Sequence, residues 1–504
     1  MIGLDAAEAS LLRAWAREGY LPTMRRLLET GHATDLVSPA NHFPDVVWPI
    51  LYTSRGPGRI SPYFFIRPDS DTGKLELVHH ELSGAEPFWR TASECGMSCA
   101  VIDAPKIGPQ PPIGGIQLVN WGGHANTATP TSHPVDLAAE VRTKYGRYPV
   151  RTCDDHGPGI AEYARVRRDL LSAVALRKRL LIDLLRSRSW DLFFGVFSET
   201  HCAGHQFWHL HDPSHPRHPP DAGGLRWALR DIYQAVDAAL GEVIEAAGPL
   251  VRVVVCSAHG MEPEYHAREL LPTLLQWWGM RDATDRIPDP ARERSQRLEQ
   301  PVLQRLRAAV PLRWQYAVKH RLPKRIESEL VCRFMGALKL DVHARAFCVP
   351  NNDLNPAVRI NVIGRDRFGN VAPGAEYDRL CAFLLARMRE LINPATGRAA
   401  LVHVDTIHDA YDGEYVATLP DIVGFWNTER PLDALYSPGY GTIVGPHQDH
   451  RTGGHSETGF LAISGKEPAL RSGPSDVRDV APTVLQMLGV PIPAGMEGES
   501  RVRV

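Results

Sequence analysis

An α/β fold with a mostly parallel sheet is what this sequence predicts, on three observations. Short apolar runs rich in β-branched and aromatic residues recur along the chain, among them 190–196, 250–256 and 459–465, and such runs read as buried strands. Between them lie longer stretches with apolar residues three and four apart, as in 162–187 and 226–245, the pattern of amphipathic helices. Several strand-like runs end in Asp or His, where open α/β sheets bind their ligands. Strands alternating with helices build a parallel sheet.

Composition bounds the answer. A chain of 504 residues buries a large core and has room for more than one folding unit. Hydrophobic content of 43% and charged content of 23% are those of a soluble globular protein. A net charge of -2 excludes a general attraction to nucleic acid polymers or to an anionic membrane. No run reaches the roughly 20 apolar residues of a membrane span, and the amino terminus lacks the basic start and apolar stretch of a secretory signal. The 8 cysteines are scattered without a Cys-x-x-Cys, Cys95 and Cys99 being the closest pair, so free thiols in a cytoplasmic protein are expected.

Taken in order, Ile2-Gly3-Leu4-Asp5 is a short strand ending in a carboxylate, followed by a helical stretch to about residue 30 that Gly19 and Pro22 interrupt. Because a buried strand typically runs about 5–6 residues, one starting at residue 2 predicts a natural chain that begins further upstream. Asp5 suits metal binding, and equally a helix cap. Residues 41–58 read as a polar loop, a short helix from near Asp45 and a Gly/Pro turn. His42 and Asp45 stand at that helix start, where free N–H groups favour an anion; capping competes as a role for Asp45. Residues 99–103 and 115–121 are further strands, and 122–133 a loop. The charges on helix 162–187 form a solvated face.

The central stretch follows the strand at 190–196. His201 and His205 stand four apart, so a helical turn puts both imidazoles on one face, able to share an ion. Residues 209–220 form a Pro/His-rich surface loop. After the helix at 226–245, the β-branched strand 250–256 delivers Ser257-Ala258-His259-Gly260. Residues 262–344 shift to Arg, Leu, Trp and Gln and are expected to form a helical insertion capping a core made of 1–261 and 345–504. Within 345–405 lie a strand-like run at 359–365, a helix near 376–392 and a strand at 401–404. His455 follows a Gly453-Gly454 turn that lets the backbone approach closely. The chain closes with a strand at 459–465 and a helix at 480–489. The strands ending at Asp5, near Glu199, at Ser257 and near Gly454 are expected on one edge of the sheet.

The ordered set Ile2-Gly3-Leu4-Asp5, Thr53 to Gly58, Glu199 to His205, Ser257 to Met261, Asn361 to Arg365, Gly453 to Gly459 and Asp479 to Gly489 resembles the alkaline phosphatase superfamily. Within it the chain is most similar to the type I phosphodiesterase/nucleotide pyrophosphatase branch, over nearly its whole length. The resemblance implies a doubly wound sheet with helices on both faces and two metal ions, usually zinc, at the strand carboxyl edge. It also implies a Thr or Ser nucleophile attacking phosphorus. Carried over by motif, His201, His205 and His455 hold one ion, and Asp5 and His259 the other.

Three departures matter. His201 stands where the family commonly has Asp, which leaves a three-histidine set, a recognised catalytic zinc arrangement with an open position. Ala258 stands where the family has Asp in Asp-His-Gly, so the second site loses a carboxylate; Asp45 is the expected replacement, completing a set with Asp5 and His259. No hydroxyl takes the nucleophile's place: aligning on Trp48 puts Pro44 there, and aligning on Phe43-Pro44 puts His42 there, with Asp45 in place of an oxyanion-stabilising Asn. His42 is then a general acid or phosphate contact, with phosphohistidine formation as the minor alternative.

Three readings follow. The favoured one is a metal-dependent phosphate-ester hydrolase, acting on a phosphodiester or phosphomonoester of nucleotide type, with one or two Zn2+ ions (Mn2+ as the alternative). Zinc acidifies water so that hydroxide replaces the missing hydroxyl. The others are a phospho- or sulfo-transferase or lyase on a small metabolite, and a non-catalytic anion-binding relative. A small anionic phosphorylated substrate is the expected partner, without nucleic acid polymer or membrane.

Overall fold

The computed structural model describes residues 1–39, 46–60, 85–108, 110–122, 129–150, 159–281, 343–349, 355–445, 451–465, 470–471 and 473–503, together with the backbone of two short strands at 66–68 and 75–77. Its centre is a nine-stranded sheet. The strands lie in the order Ser475–Asp476, His32–Val37, Thr458–Ile463, Val254–Ser257, Ile2–Leu4, Leu192–Phe197, Cys99–Ile102, Gly115–Val119 and Thr131–His133. From Val254–Ser257 to Gly115–Val119 every pairing is parallel. Thr458–Ile463 runs antiparallel to both neighbours, and Thr131–His133 is antiparallel at the far edge. The sheet is mostly parallel, as the alternation of strands and helices requires.

Burial on both faces explains the apolar runs. In Cys99–Ile102, Ala100 and Ile102 join a core with helices Ala9–Arg17, Pro22–Thr30, Ile160–Arg186 and Ala228–Ala247. Cys99 and Val101 join the opposite core with Val47–Thr53, Phe88–Glu94 and Val480–Met487. The period of two sends alternate side chains to opposite helix layers, which makes the sheet doubly wound. The stretch expected to break at Gly19 and Pro22 is two helices: Gly19 has φ 86° and Pro22 opens the second. At 250–256 the strand is shorter and later than expected, Val254–Ser257, and Leu250 is 99% exposed.

The described residues of 346–444 contribute no strand to this sheet. Ala346–Cys348, Ala357–Ile360, Ile422–Trp426 and Leu401–Thr406 form one antiparallel sheet, and four short strands between Ile392 and Val444 form another. These pack on helix Ala375–Arg389 around a third core, which also takes Leu271, Leu274 and Leu275 from helix Leu271–Trp277. Of 262–344, only 262–281 and 343–344 are among the described residues. No described helix is long and apolar enough to cross a membrane.

Asp421 ties this second unit together. It is fully buried and accepts hydrogen bonds from Arg365 Nη1 at 2.6 Å and Nη2 at 2.8 Å, Tyr377 Oη at 2.8 Å and the Ile360 N–H at 2.6 Å. Burial alone raises a carboxyl pKa, but here the hydrogen bonds from Arg365 and His408 outweigh it and hold Asp421 well below the usual range. A depressed pKa gives stability that is present above the unfolded value of about 3.9 and is lost as pH falls below it. Asp421→Asn is therefore expected to cost about 3 kcal/mol at pH 7 and to flatten the loss of stability below about pH 4. Urea midpoints at pH 7 and pH 3 check both.

Candidate metal centre

The strand Leu192–Phe197 runs straight into helix Glu199–His211, in which every residue from Glu199 to Leu210 is buried. A helix so enclosed holds its polar side chains only where they have partners. Two ties fix its entry: Thr200 Oγ1 donates to the Asp5 carbonyl at 2.6 Å, and the Asp5 N–H donates to the Phe197 carbonyl at 2.9 Å. The helical turn puts His201 and His205 side by side, with ring centroids 4.4 Å apart and Nε2 atoms 3.2 Å apart.

The third imidazole arrives from far along the chain. Gly453 and Gly454, expected as a turn, instead begin a strand, Gly453–Ser456, paired antiparallel with Gly260–Pro263 so that His455 faces Met261. This two-stranded ribbon stands apart from the nine-stranded sheet, so the element near Gly454 is not one of that sheet's ends. The close approach is real: a Cβ on Gly453 would lie 2.4 Å from the Gly204 carbonyl oxygen. The Thr452 N–H donates to the His205 carbonyl at 2.8 Å, which locks the ribbon onto the helix. His455 then sits with its ring 5.0 Å from His201 and 4.9 Å from His205. Among the described residues, His201, His205 and His455 are the one group of three whose ligand atoms all lie within 4.8 Å of one another, and all three are buried.

The donor chemistry suits a metal. His205 Nδ1 lies 2.5 Å from the Gly453 carbonyl oxygen, so in the neutral ring Nδ1 carries the proton and Nε2 the lone pair. Two nitrogens on one tetrahedral zinc at 2.0–2.1 Å stand about 3.3 Å apart, and the observed separation of the Nε2 atoms is 3.2 Å. Three buried imidazoles with no carboxylate among them fit zinc better than a hard, oxygen-seeking ion.

His259 borders this set, with its ring 4.3 Å from that of His455. Its Nε2 lies 3.7 Å from Asp5 Oδ1. Asp5 and His259 thus form a pair beside the triad. His42 and Asp45, expected to complete that pair, lie outside the described residues. Trp48, in the sequence only an alignment point for the nucleophile position, donates from Nε1 to Asp5 Oδ1 at 2.6 Å, and its ring packs where a Cβ on Gly3 would stand, 2.8 Å away.

A buried ion cluster backs the helix start. Arg177, from helix Ile160–Arg186, is fully buried; its Nε donates to Glu199 Oε1 at 2.9 Å, Nη1 to Asp103 Oδ2 at 3.0 Å and Nη2 to the Gly122 carbonyl at 2.6 Å. Tyr148 Oη donates to Glu199 Oε1 at 2.5 Å. Burial opposes charge on Arg177, but Glu199, Tyr148 and Asp103 hold its pKa well above the ordinary value, so it is a permanent cation. The cluster joins the carboxyl ends of three neighbouring strands, beneath the histidine helix.

The family model described as type I phosphodiesterase / nucleotide pyrophosphatase matches residues 1–342. No curated protein matches the chain. Among solved structures, phosphonoacetate hydrolase from Sinorhizobium meliloti in complex with phosphonoacetate is similar with a TM-score of 0.53 and 14% identity, covering 97% of this chain and 94% of that one. Murine ectonucleotide pyrophosphatase / phosphodiesterase 5 is similar with a TM-score of 0.48 and 12% identity, covering 98% and 95%. Alkaline phosphatase PafA has a TM-score of 0.48 and 11% identity, covering 99% and 97%.

Proposed function

The chain belongs to the type I phosphodiesterase / nucleotide pyrophosphatase family, metal-dependent phosphoester hydrolases of the alkaline phosphatase superfamily, and from that premise we propose that it hydrolyses a small phosphate ester at a zinc centre made of His201, His205 and His455. The observation that carries this reading is the convergence of three buried imidazoles with donor atoms within 4.8 Å. Zinc held there supplies Lewis acidity toward a phosphoryl oxygen and lowers the pKa of water to about 7. The chain's own residues do the rest. The Gly453 carbonyl fixes the His205 tautomer, and Trp48 holds the Asp5 carboxylate. Asp5 and His259 stand beside the triad, where they are placed to hold a second ion, with Asp45 the candidate to join them. His42 keeps its proposed role as proton donor or phosphate contact.

Water is the proposed nucleophile. Two hydroxyls flanking these residues are committed to backbone: Ser257 Oγ donates to the His259 carbonyl at 2.7 Å and accepts from the Ala7 N–H at 3.1 Å, and Thr200 Oγ1 donates to the Asp5 carbonyl at 2.6 Å. No phosphoserine or phosphothreonine is therefore expected during turnover. Rapid acid quench and peptide mass spectrometry check this, and either modified residue, formed at the rate of turnover, contradicts it.

Zinc analysis of the purified protein, with a panel of a phosphomonoester, a phosphodiester and a sulfate ester, tests the function. At least one equivalent of zinc and hydrolysis of a phosphate ester, lost on chelation and restored by zinc, is expected. A metal-free protein inert toward the whole panel overturns it. The described start of 262–344 packs into the third core, and we read that stretch as the cap over the site. The six cysteines among the described residues form no disulfide, which suits a cytoplasmic setting.

A further inference from the structure

The ribbon that delivers His455 is a weak element by itself. Its two short strands, Gly260–Pro263 and Gly453–Ser456, pair with each other and with no strand of the nine-stranded sheet. Two strands alone are marginally stable in water, and a glycine inside a strand, as Gly454 is here, weakens it further. Anchors outside the ribbon therefore decide where His455 stands. One is Thr452, whose N–H holds the His205 carbonyl. The other is Glu8, at the entry to helix Ala9–Arg17.

The two carboxylate oxygens of Glu8 do different things. Oε1 accepts from the Ser10 N–H at 3.0 Å and caps the helix. Oε2 turns to the ribbon, where it accepts from the Met261 N–H at 3.1 Å and from Ser456 Oγ at 3.4 Å. Met261 is the residue paired with His455, and Ser456 is the next along the chain. A Cβ on Gly260 would lie 2.4 Å from Glu8 Oε2, so the approach needs the glycine that follows His259. A carboxylate that accepts from a backbone N–H makes a stronger tie than a neutral acceptor does. Glu8 is itself steadied, since its own N–H donates to Tyr233 Oη, from helix Ala228–Ala247, at 2.9 Å. Thr452 and Glu8 thus hold the ribbon on either side of His455.

We propose that Glu8 is a positioning residue of the zinc centre, holding the ribbon so that the His455 imidazole meets those of His201 and His205. This rests on the zinc hydrolase reading above and names a residue that completes its ligand geometry. Glu8 acts through Met261 and Ser456 and not on the ion. Residues that orient metal ligands in this way typically change metal affinity about 10–100-fold when replaced.

Two variants separate the anchor from the cap. Glu8→Ser keeps a side chain of preferred N-cap type but is too short to reach the ribbon. Glu8→Gln keeps the length and one acceptor oxygen. For the full chain of each, zinc affinity is measured by competition with a chelator, beside the urea midpoint of the metal-free protein and the visible spectrum with Co2+ in place of zinc. Glu8→Ser is expected to bind zinc about 10–100-fold more weakly, with the metal-free midpoint of wild type and an altered cobalt spectrum. Glu8→Gln is expected to stay within about threefold of wild-type affinity and to keep the wild-type spectrum. A Glu8→Ser protein that binds zinc as wild type does overturns the proposal and leaves the zinc reading standing. A lowered metal-free midpoint with an unchanged cobalt spectrum makes Glu8 a residue of the fold alone and also overturns it. So does a Glu8→Gln protein as weak as Glu8→Ser, because the charge and not the anchor is then responsible. A wild type that binds no zinc brings down the parent reading, and this proposal with it.

Discussion

His205→Ala is expected to lose stoichiometric zinc and at least about 10³-fold in kcat/KM. His205 is the fully buried member of the triad, and it is held from both sides: Nδ1 by the Gly453 carbonyl, and its own carbonyl by the Thr452 N–H. Removing it leaves two imidazoles, too few for a stable catalytic site, in which zinc normally has three protein ligands. The several kcal/mol of transition-state charge stabilisation attributed to a bound metal goes with it, and each 1.4 kcal/mol is about tenfold in rate. A buried Ala here also leaves a cavity, so the stability of the variant must be measured beside its zinc content. A folded His205→Ala protein that keeps one equivalent of zinc and most of its activity removes the triad from the account. His259→Ala is the informative partner: because it lies outside the triad, it is expected to leave that zinc bound.

Arg177→Met is expected to be the most destabilising single substitution at the site, at about 3–5 kcal/mol. It deletes the guanidinium between two fully buried carboxylates, Asp103 and Glu199, and leaves the Gly122 carbonyl without its 2.6 Å donor. Arg177→Lys is expected to recover less than half, because a single ammonium cannot reach three acceptors arranged around a planar fork. The double variant Arg177→Met/Glu199→Gln is expected to be more stable than Arg177→Met alone, since it removes one of the stranded charges. Urea denaturation of the full chain reads all three. A cost under about 1 kcal/mol for Arg177→Met means the cluster does not hold the helix start.

The sequence was most informative where structure is local. Residues 162–187 were legible as a helix, observed at Ile160–Arg186, because the apolar stripe repeats at 3.6 residues. The same stripe held an unread signal: Arg177 stands three residues after Val174 and four before Leu181, on the buried face, where an Arg demands partners. The i,i+4 placement of His201 and His205 was equally local. What escaped depends on pairing between distant segments. Gly453–Ser456 looked like a turn because nothing nearby reveals its partner, Gly260–Pro263, almost 200 residues earlier. His32–Val37 was hidden by His32, Thr34 and Asp35, which an antiparallel neighbour, Thr458–Ile463, accommodates near the sheet edge. The single strand-like run at 401–404 was visible, but not its membership of a separate antiparallel sheet, because periodicity identifies a strand and not its neighbours.

His201, His205 and His455 are proposed to hold one zinc ion. Anomalous diffraction from crystals of the zinc-loaded protein, collected on both sides of the zinc absorption edge, tests it most directly. A peak present above the edge and absent below it is expected among the three imidazoles, about 2.0–2.1 Å from one nitrogen of each. An anomalous map with no peak between these rings, or with the zinc bound elsewhere while the three rings keep their places, contradicts it.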